Sequence, residues 1–169
     1  MAAYTPSEWH DFFLGTLGAS AALTGLLFVA ISINLQQILK HSQLPGRAAG
    51  TLGILVCALV VSGFGLAPGQ GNRALGLEVV VAGAAVVAQT VWATRRKQDK
   101  EVEAADERSS LPRVEHLVSM LLPSLAFVAG GLSLIARGGG GLYWVLSAIL
   151  LAFVVASLDA WVLLVEIHR

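Results

Sequence analysis

Two carboxylates stand inside long apolar runs, Glu78 in LGLEVVVAGAAVV and Asp159 in VVASLDAWVLL. An ionisable side chain in hydrocarbon must find water, a partner or a proton, so each is a functional candidate. Asp159 has two readings. In one it is a proton- or cation-binding group facing a wet cavity. In the other it is a structural carboxyl hydrogen-bonded to a neighbouring helix. Counted along their helices, the two carboxylates differ in depth by ~16 Å at ~1.5 Å per residue, which argues against a direct pair. Asp159 falls nearer the level of Gln89 and Ser119, with Trp161 marking the adjacent interface. Glu78 falls nearer Arg73 and the opposite surface.

A second polar set, Thr16, Ser20, Thr24, Ser32 and Gln36, recurs at multiples of four, with Phe28 interrupting it. Each four-residue step advances ~40° beyond a full turn, so the series winds around a helix. With Glu78 and Asp159 it forms a candidate polar pathway between helices. The alternative is a set of hydroxyls bonded to their own i−4 carbonyls.

Other chemistry finds little support. His41, His116 and His168 have Glu115 and Glu166 nearby but no HExxH spacing for a metal. His116, Ser119 and Asp159 include the residue types of a hydrolase triad, yet GxSxG is absent. Cys57 is the only cysteine, which excludes a CxxC redox or zinc site. Gly69-x-Gly71-x-x-Ala74 loosely matches a dinucleotide fingerprint, but that fingerprint needs a preceding strand and a βαβ unit. The expectation is therefore a non-enzymatic protein with no cofactor and no metal.

The elements that must position these residues are membrane helices. The mean hydropathy is +0.73. Charged residues make up 13% of the 169-residue chain, about half the share in a soluble domain. The stretch FFLGTLGASAALTGLLFVAISINLQQIL, 12–39, carries no charge and exceeds what a ~30 Å hydrocarbon core requires. It is read as the span around which the others pack. Further spans are expected at about 48–67, 74–94, 114–136 and 142–165. This predicts an all-α polytopic membrane protein, a single membrane domain of five transmembrane helices in a compact bundle. Thr5-Pro6-Ser7-Glu8 reads as a capping box ahead of the first helix. Pro123 predicts a kink in the fourth span. The mixed charges of 95–113 predict a helical hairpin outside the membrane.

Small residues mark packing faces, because spans associate in lipid through close backbone contact. Gly15, Gly18, Ala22 and Gly25 form one such face on the first span. Ala148, Ala152, Ala156 and Ala160 form another on the fifth, and Gly46, Gly50, Gly53 and Cys57 a third on the second. The first and fifth spans are expected to supply contacts in a homo-oligomer.

The run ALTGLLFVAISINLQQIL, followed by Leu44-Pro45-Gly46-Arg47 and then Pro68-Gly69-Gln70, resembles small uncharacterised bacterial multi-span membrane proteins. Some of these carry names suggesting modulation of a membrane-bound protease. The resemblance ends near residue 70, carries no functional residue across, and implies a bacterial cell membrane.

Eleven basic and eleven acidic residues cancel, so net charge points to no nucleic-acid partner. The expected partners are the lipid bilayer, further copies of the chain and a membrane protein. Two functions follow: an oligomeric channel or carrier (transporter) for ions or small solutes, or an accessory protein that binds or regulates a membrane-embedded partner such as a protease. Nine basic residues, including Lys40, Arg47 and six within 95–113, fall on one side of the predicted spans. Arg73 and Arg137 fall on the other. The positive-inside rule then places the multi-pass chain in the cytoplasmic membrane with its N-terminus outside and its C-terminus in the cytoplasm. With Cys57→Ala as background, Ala104→Cys should react with an impermeant maleimide only after cells are opened. Labelling of intact cells would reverse the orientation.

Overall fold

A computed structural model describes the backbone of residues 2–40, 44–102 and 111–167, and the side chains of 2–40, 44–95 and 117–161. Two short 3-10 turns, Ala2–Tyr4 and Pro6–Trp9, lead into α1 (His10–Ile33). There follow α2 (Leu35–Lys40), α3 (Leu44–Gly65), α4 (Asn72–Val102), α5 (Leu111–Ala136) and α6 (Leu142–Ile167). Five of these helices, all but α2, are long and apolar enough to cross a membrane. No strand occurs among the described residues. The protein is thus an all-α, multi-pass bundle with lipid-contacting helices. Helix α4 continues past Arg95 to Val102, as expected of the hairpin's first arm; residues 103–110 of that hairpin lie outside the described residues.

The bundle is organised around α3, not around the first apolar stretch. Helix α3 packs against α1, α4 and α6, while α5 joins α4 to α6 behind it. Ten of the 22 residues of α3 are buried, against four of the 24 in α1. Hydropathy does not rank these helices, because lipid tails are as apolar as a protein core. Leu14, Leu26, Phe28, Val29 and Ile33 of α1 are exposed on the bundle surface.

The first stretch is also not one helix. The Asn34 side chain donates from Nδ2 to the Ala30 carbonyl at 2.9 Å, where its own backbone N–H also points at 3.3 Å. Its backbone leaves the helical region at φ −101°, ψ 13°. The Asn34 carbonyl then accepts from Gln37 and Ile38, which starts α2. An Asn side chain competes with the helical backbone for the same acceptors, and here it divides 12–39 in two. The Thr5 capping box does not form either. Thr5 makes no side-chain cap hydrogen bond, and Pro6–Trp9 is a 3-10 turn. Trp9 Nε1 instead donates to the Ala2 carbonyl, and its ring meets Tyr143 edge-on at 5.1 Å.

This N-terminal segment straps one end of the bundle. The Asn72 Nδ2 donates to the Tyr4 carbonyl at 2.6 Å, and the Gly140 N–H donates to the Tyr4 hydroxyl at 3.0 Å. The strap therefore ties the turn before α4 to the turn before α6. Gly140 at φ 113° and Gly141 at φ 52° allow that second turn, and a side chain on Gly141 would run into the Ala3 carbonyl and the Tyr4 ring.

The expected small-residue faces fare differently. Ala148, Ala152 and Ala156 are buried within the bundle, so they serve intramolecular packing and not a subunit contact. Gly15, Gly18 and Gly25 have nothing within 4 Å of a built Cβ, and Ala22 is exposed. Residues Phe13, Thr16, Ser20 and Leu27 face the bundle instead. The glycine face stands two residues along from them, about 200° around the helix, and so points outward. The closest crossing is between α4 and α5, where a Cβ on Gly76 would lie 2.7 Å from the Gly131 carbonyl oxygen. Gly83 fits against Phe127 and Ser124 one and two turns further along this seam. Pro123 is buried inside α5, which continues through it as one helix.

Gly131→Val should destabilise the bundle by about 1–3 kcal/mol or more, because the backbone of α4 cannot move aside. Gly18→Ala should be neutral or stabilising by up to about 1 kcal/mol. Thermal unfolding of the two variants in the same detergent checks the contrast.

Candidate functional site

The inward face of α6 runs Ala148, Ala152, Ala156 and then Asp159, a helical progression that carries the carboxylate onto α3. On α3 the residues Arg47 and Thr51 stand one turn apart and face it. Arg47 donates to Asp159 Oδ1 from Nε at 3.1 Å and from Nη2 at 3.0 Å. Thr51 Oγ1 lies 3.1 Å from Asp159 Oδ2 and 2.9 Å from the Arg47 carbonyl, so its single proton serves two acceptors. Asp159 is 4% exposed. The Arg47 side chain keeps 24% of its surface.

Arg47 enters the sequence reading only as a basic residue between spans. In the structure α3 begins at Leu44, which places Arg47 in its first turns. A depth count from the opposite end would have paired them. Arg47 precedes Gly65 by 18 residues and Asp159 follows Leu142 by 17, on antiparallel helices. Depths counted from the middle of each predicted span point instead to Gln89 and Ser119. Gln89 instead donates to the Ala49 carbonyl at 3.1 Å and fills the space beside Gly53.

The polar series separates. Thr16 Oγ1 lies 2.8 Å from Ser62 Oγ, joining α1 to α3. Ser20 is fully buried in the same seam, and the Thr24 hydroxyl is enclosed there; among the described residues neither has a hydrogen-bond partner. Ser32 faces outward and donates back to the Phe28 carbonyl at 2.8 Å. Gln36 is exposed. Glu78 accepts from Gln70 Nε2, which ties the turn after Pro68 to α4, and Arg73 is exposed. One turn beyond Thr24 on α1, about two turns from Arg47 on α3 and one turn from Asp159 on α6, Leu27, Leu55 and Ala156 close into an apolar cluster. The hydroxyl seam, Glu78 and Asp159 are thus three separate places, not one polar route through a single bundle.

The chemistry open to Asp159 is limited by its partner. A guanidinium stays protonated in proteins, and Arg47 satisfies one carboxylate oxygen twice. A cation arriving at Asp159 would have to displace Arg47. The arrangement is a charge clasp between α3 and α6, which favours the structural reading of Asp159. Among the described residues no three His, Cys, Asp or Glu side chains group as a metal site. The side chains of His41, His116 and His168 lie outside the described residues. Cys57 is a buried free thiol packed in the core.

Removing one partner of a buried pair leaves the other charge uncompensated, which costs about 3–5 kcal/mol. Arg47→Met and Asp159→Leu should each destabilise by that order. The double variant should recover much of the loss, because no charge is stranded. Equilibrium unfolding of the two single variants and the double variant measures the coupling, and additive losses would show that the two side chains act independently.

Comparison with protein-family models, curated proteins and solved structures yields no match. What the geometry itself establishes is a five-span membrane bundle, closed at one end by an aromatic strap and at the other by the Arg47–Asp159 clasp.

Proposed function

We propose that this is a non-enzymatic accessory membrane protein that works by lateral association in the bilayer, through contacts that α1 makes with a second copy of the chain. The observation that carries this reading is the outward face of α1. Among the described residues nothing from another helix lies within 4 Å of where a side chain on Gly15, Gly18 or Gly25 would begin, and Ala22 between them is exposed. Glycine in a helix interior costs about 1 kcal/mol relative to alanine. Close helix–helix contact is what such a face offers in return. Conduction through a single bundle is disfavoured by the apolar cluster at Leu27, Leu55 and Ala156 and by the neutralised Asp159. The setting we infer is a bacterial cytoplasmic membrane with the N-terminus outside. It is supported by the nine-to-two distribution of basic residues and the resemblance carried by roughly the first 70 residues.

Energy transfer between fluorophore-labelled copies in liposomes should report association. Gly18→Leu combined with Ala22→Leu should lower it at least about tenfold in apparent affinity, a loss of ~1.4 kcal/mol, with thermal stability unchanged. Association that persists in the double variant would remove α1 as the contact. Potassium or proton flux through reconstituted wild-type protein, lost in Asp159→Asn while the particle stays folded, would replace the accessory reading with a channel.

A further inference from the structure

Helices α1 and α6 both rest on α3 but diverge from one another, leaving a cleft of about 340 Å³. Leu55 of α3 is its floor, Leu27 and Ala30 of α1 form one wall, and Ala156 and Trp161 of α6 form the other. Its rim is open, with Leu26 70% and Trp161 64% exposed. The volume is within the range of small-ligand sites, about 300–1,000 Å³. The walls are spanning helices, so the medium at the open side is hydrocarbon.

At one end the cleft is lined by the Asn34 amide beside Ile38. Ile38 packs on Leu44 and Ala48, which brings α2 and the first turns of α3 together at that end. These two pieces carry Lys40, which is exposed, and Arg47. Asp159 balances the charge of Arg47 but engages only Nε and Nη2. Among the described residues Nη1 has no hydrogen bond. One net positive charge, from Lys40, and a partly exposed guanidinium fork therefore stand where an apolar cleft reaches the end of its spans.

We propose that this cleft binds one phospholipid with an anionic headgroup, its acyl chain lying between α1 and α6 and its phosphate at Lys40 and Arg47. The apolar walls match the chain, and charge complementarity selects the headgroup. Basic pockets between spans attract acidic lipid heads, and the arginine fork matches phosphate oxygens. Trp161 suits the interfacial level such a headgroup occupies. The site uses residues of α1 other than the glycine face, and it stands whether or not the chain self-associates.

The test is native mass spectrometry of the full chain released from micelles containing equimolar phosphatidylglycerol and phosphatidylcholine of identical acyl chains. The wild type should retain phosphatidylglycerol in preference. Lys40→Gln should lower that preference about fivefold, the effect of one basic residue near a headgroup. Ala30→Trp and Ser157→Phe, each at an exposed position lining the cleft, should fill it from opposite walls and abolish retention of either lipid. Thermal unfolding identifies which filling variants remain folded. Equal retention of the two lipids by the wild type overturns the proposal, as does undiminished phosphatidylglycerol retention in a folded filling variant.

Discussion

Hydrocarbon exerts no hydrophobic push between apolar helices, and the rest of this bundle follows from that constraint. Cohesion must come from close backbone approach and from polar contacts that lipid cannot offer. Both are present and they divide the work. Gly76 and Gly131 let α4 and α5 touch almost backbone to backbone, and the alanines of α6 let it settle against α3. Where α1 meets α3 the contact is made through Phe13 against Gly65 and through the Thr16–Ser62 hydrogen bond.

The two ends are fastened by different means. At one end the chain folds its own start over the bundle. Tyr4 and Trp9 join two turns that are distant in sequence, using the Asn72 side-chain amide, the Gly140 N–H and an edge-on aromatic contact. At the other end the Arg47–Asp159 ion pair joins α3 to α6. A carboxylate with 4% exposure is costly unless it is matched, and Arg47 with Thr51 matches it on both oxygens. The region between is apolar, which is why the polar residues of α1 do not connect with those of α6.

The spans were legible in the sequence because charge and length alone define them. The centre of the bundle was not. A helix facing lipid and a helix facing protein have the same average hydropathy, so the least charged stretch drew attention while α3 held the core. Asn34 was legible only as a polar residue within an apolar run; its effect depends on a side chain reaching the Ala30 carbonyl. The α4–α5 crossing was missed because Gly76 and Gly83 stand seven residues apart and Gly131 adjoins Gly130, so neither helix shows the four-residue repeat of small residues that marks the other faces. Asp159 was correctly singled out as needing a partner. Its partner was hidden by a helix boundary placed a few residues too late, which counted Arg47 as part of a loop.

The two halves of the clasp are 112 residues apart in the chain. A membrane protein is delivered to the bilayer from its N-terminus, so α3 arrives well before α6. During that interval Arg47 stands at the edge of the hydrocarbon without its counter-charge. The contact closes only when the last span is in place. The two intervening passes, α4 and α5, must be in register for Asp159 to arrive at the right depth. A chain cut short, or one whose final helix turned the wrong way, leaves an unmatched guanidinium as a mark of incomplete assembly.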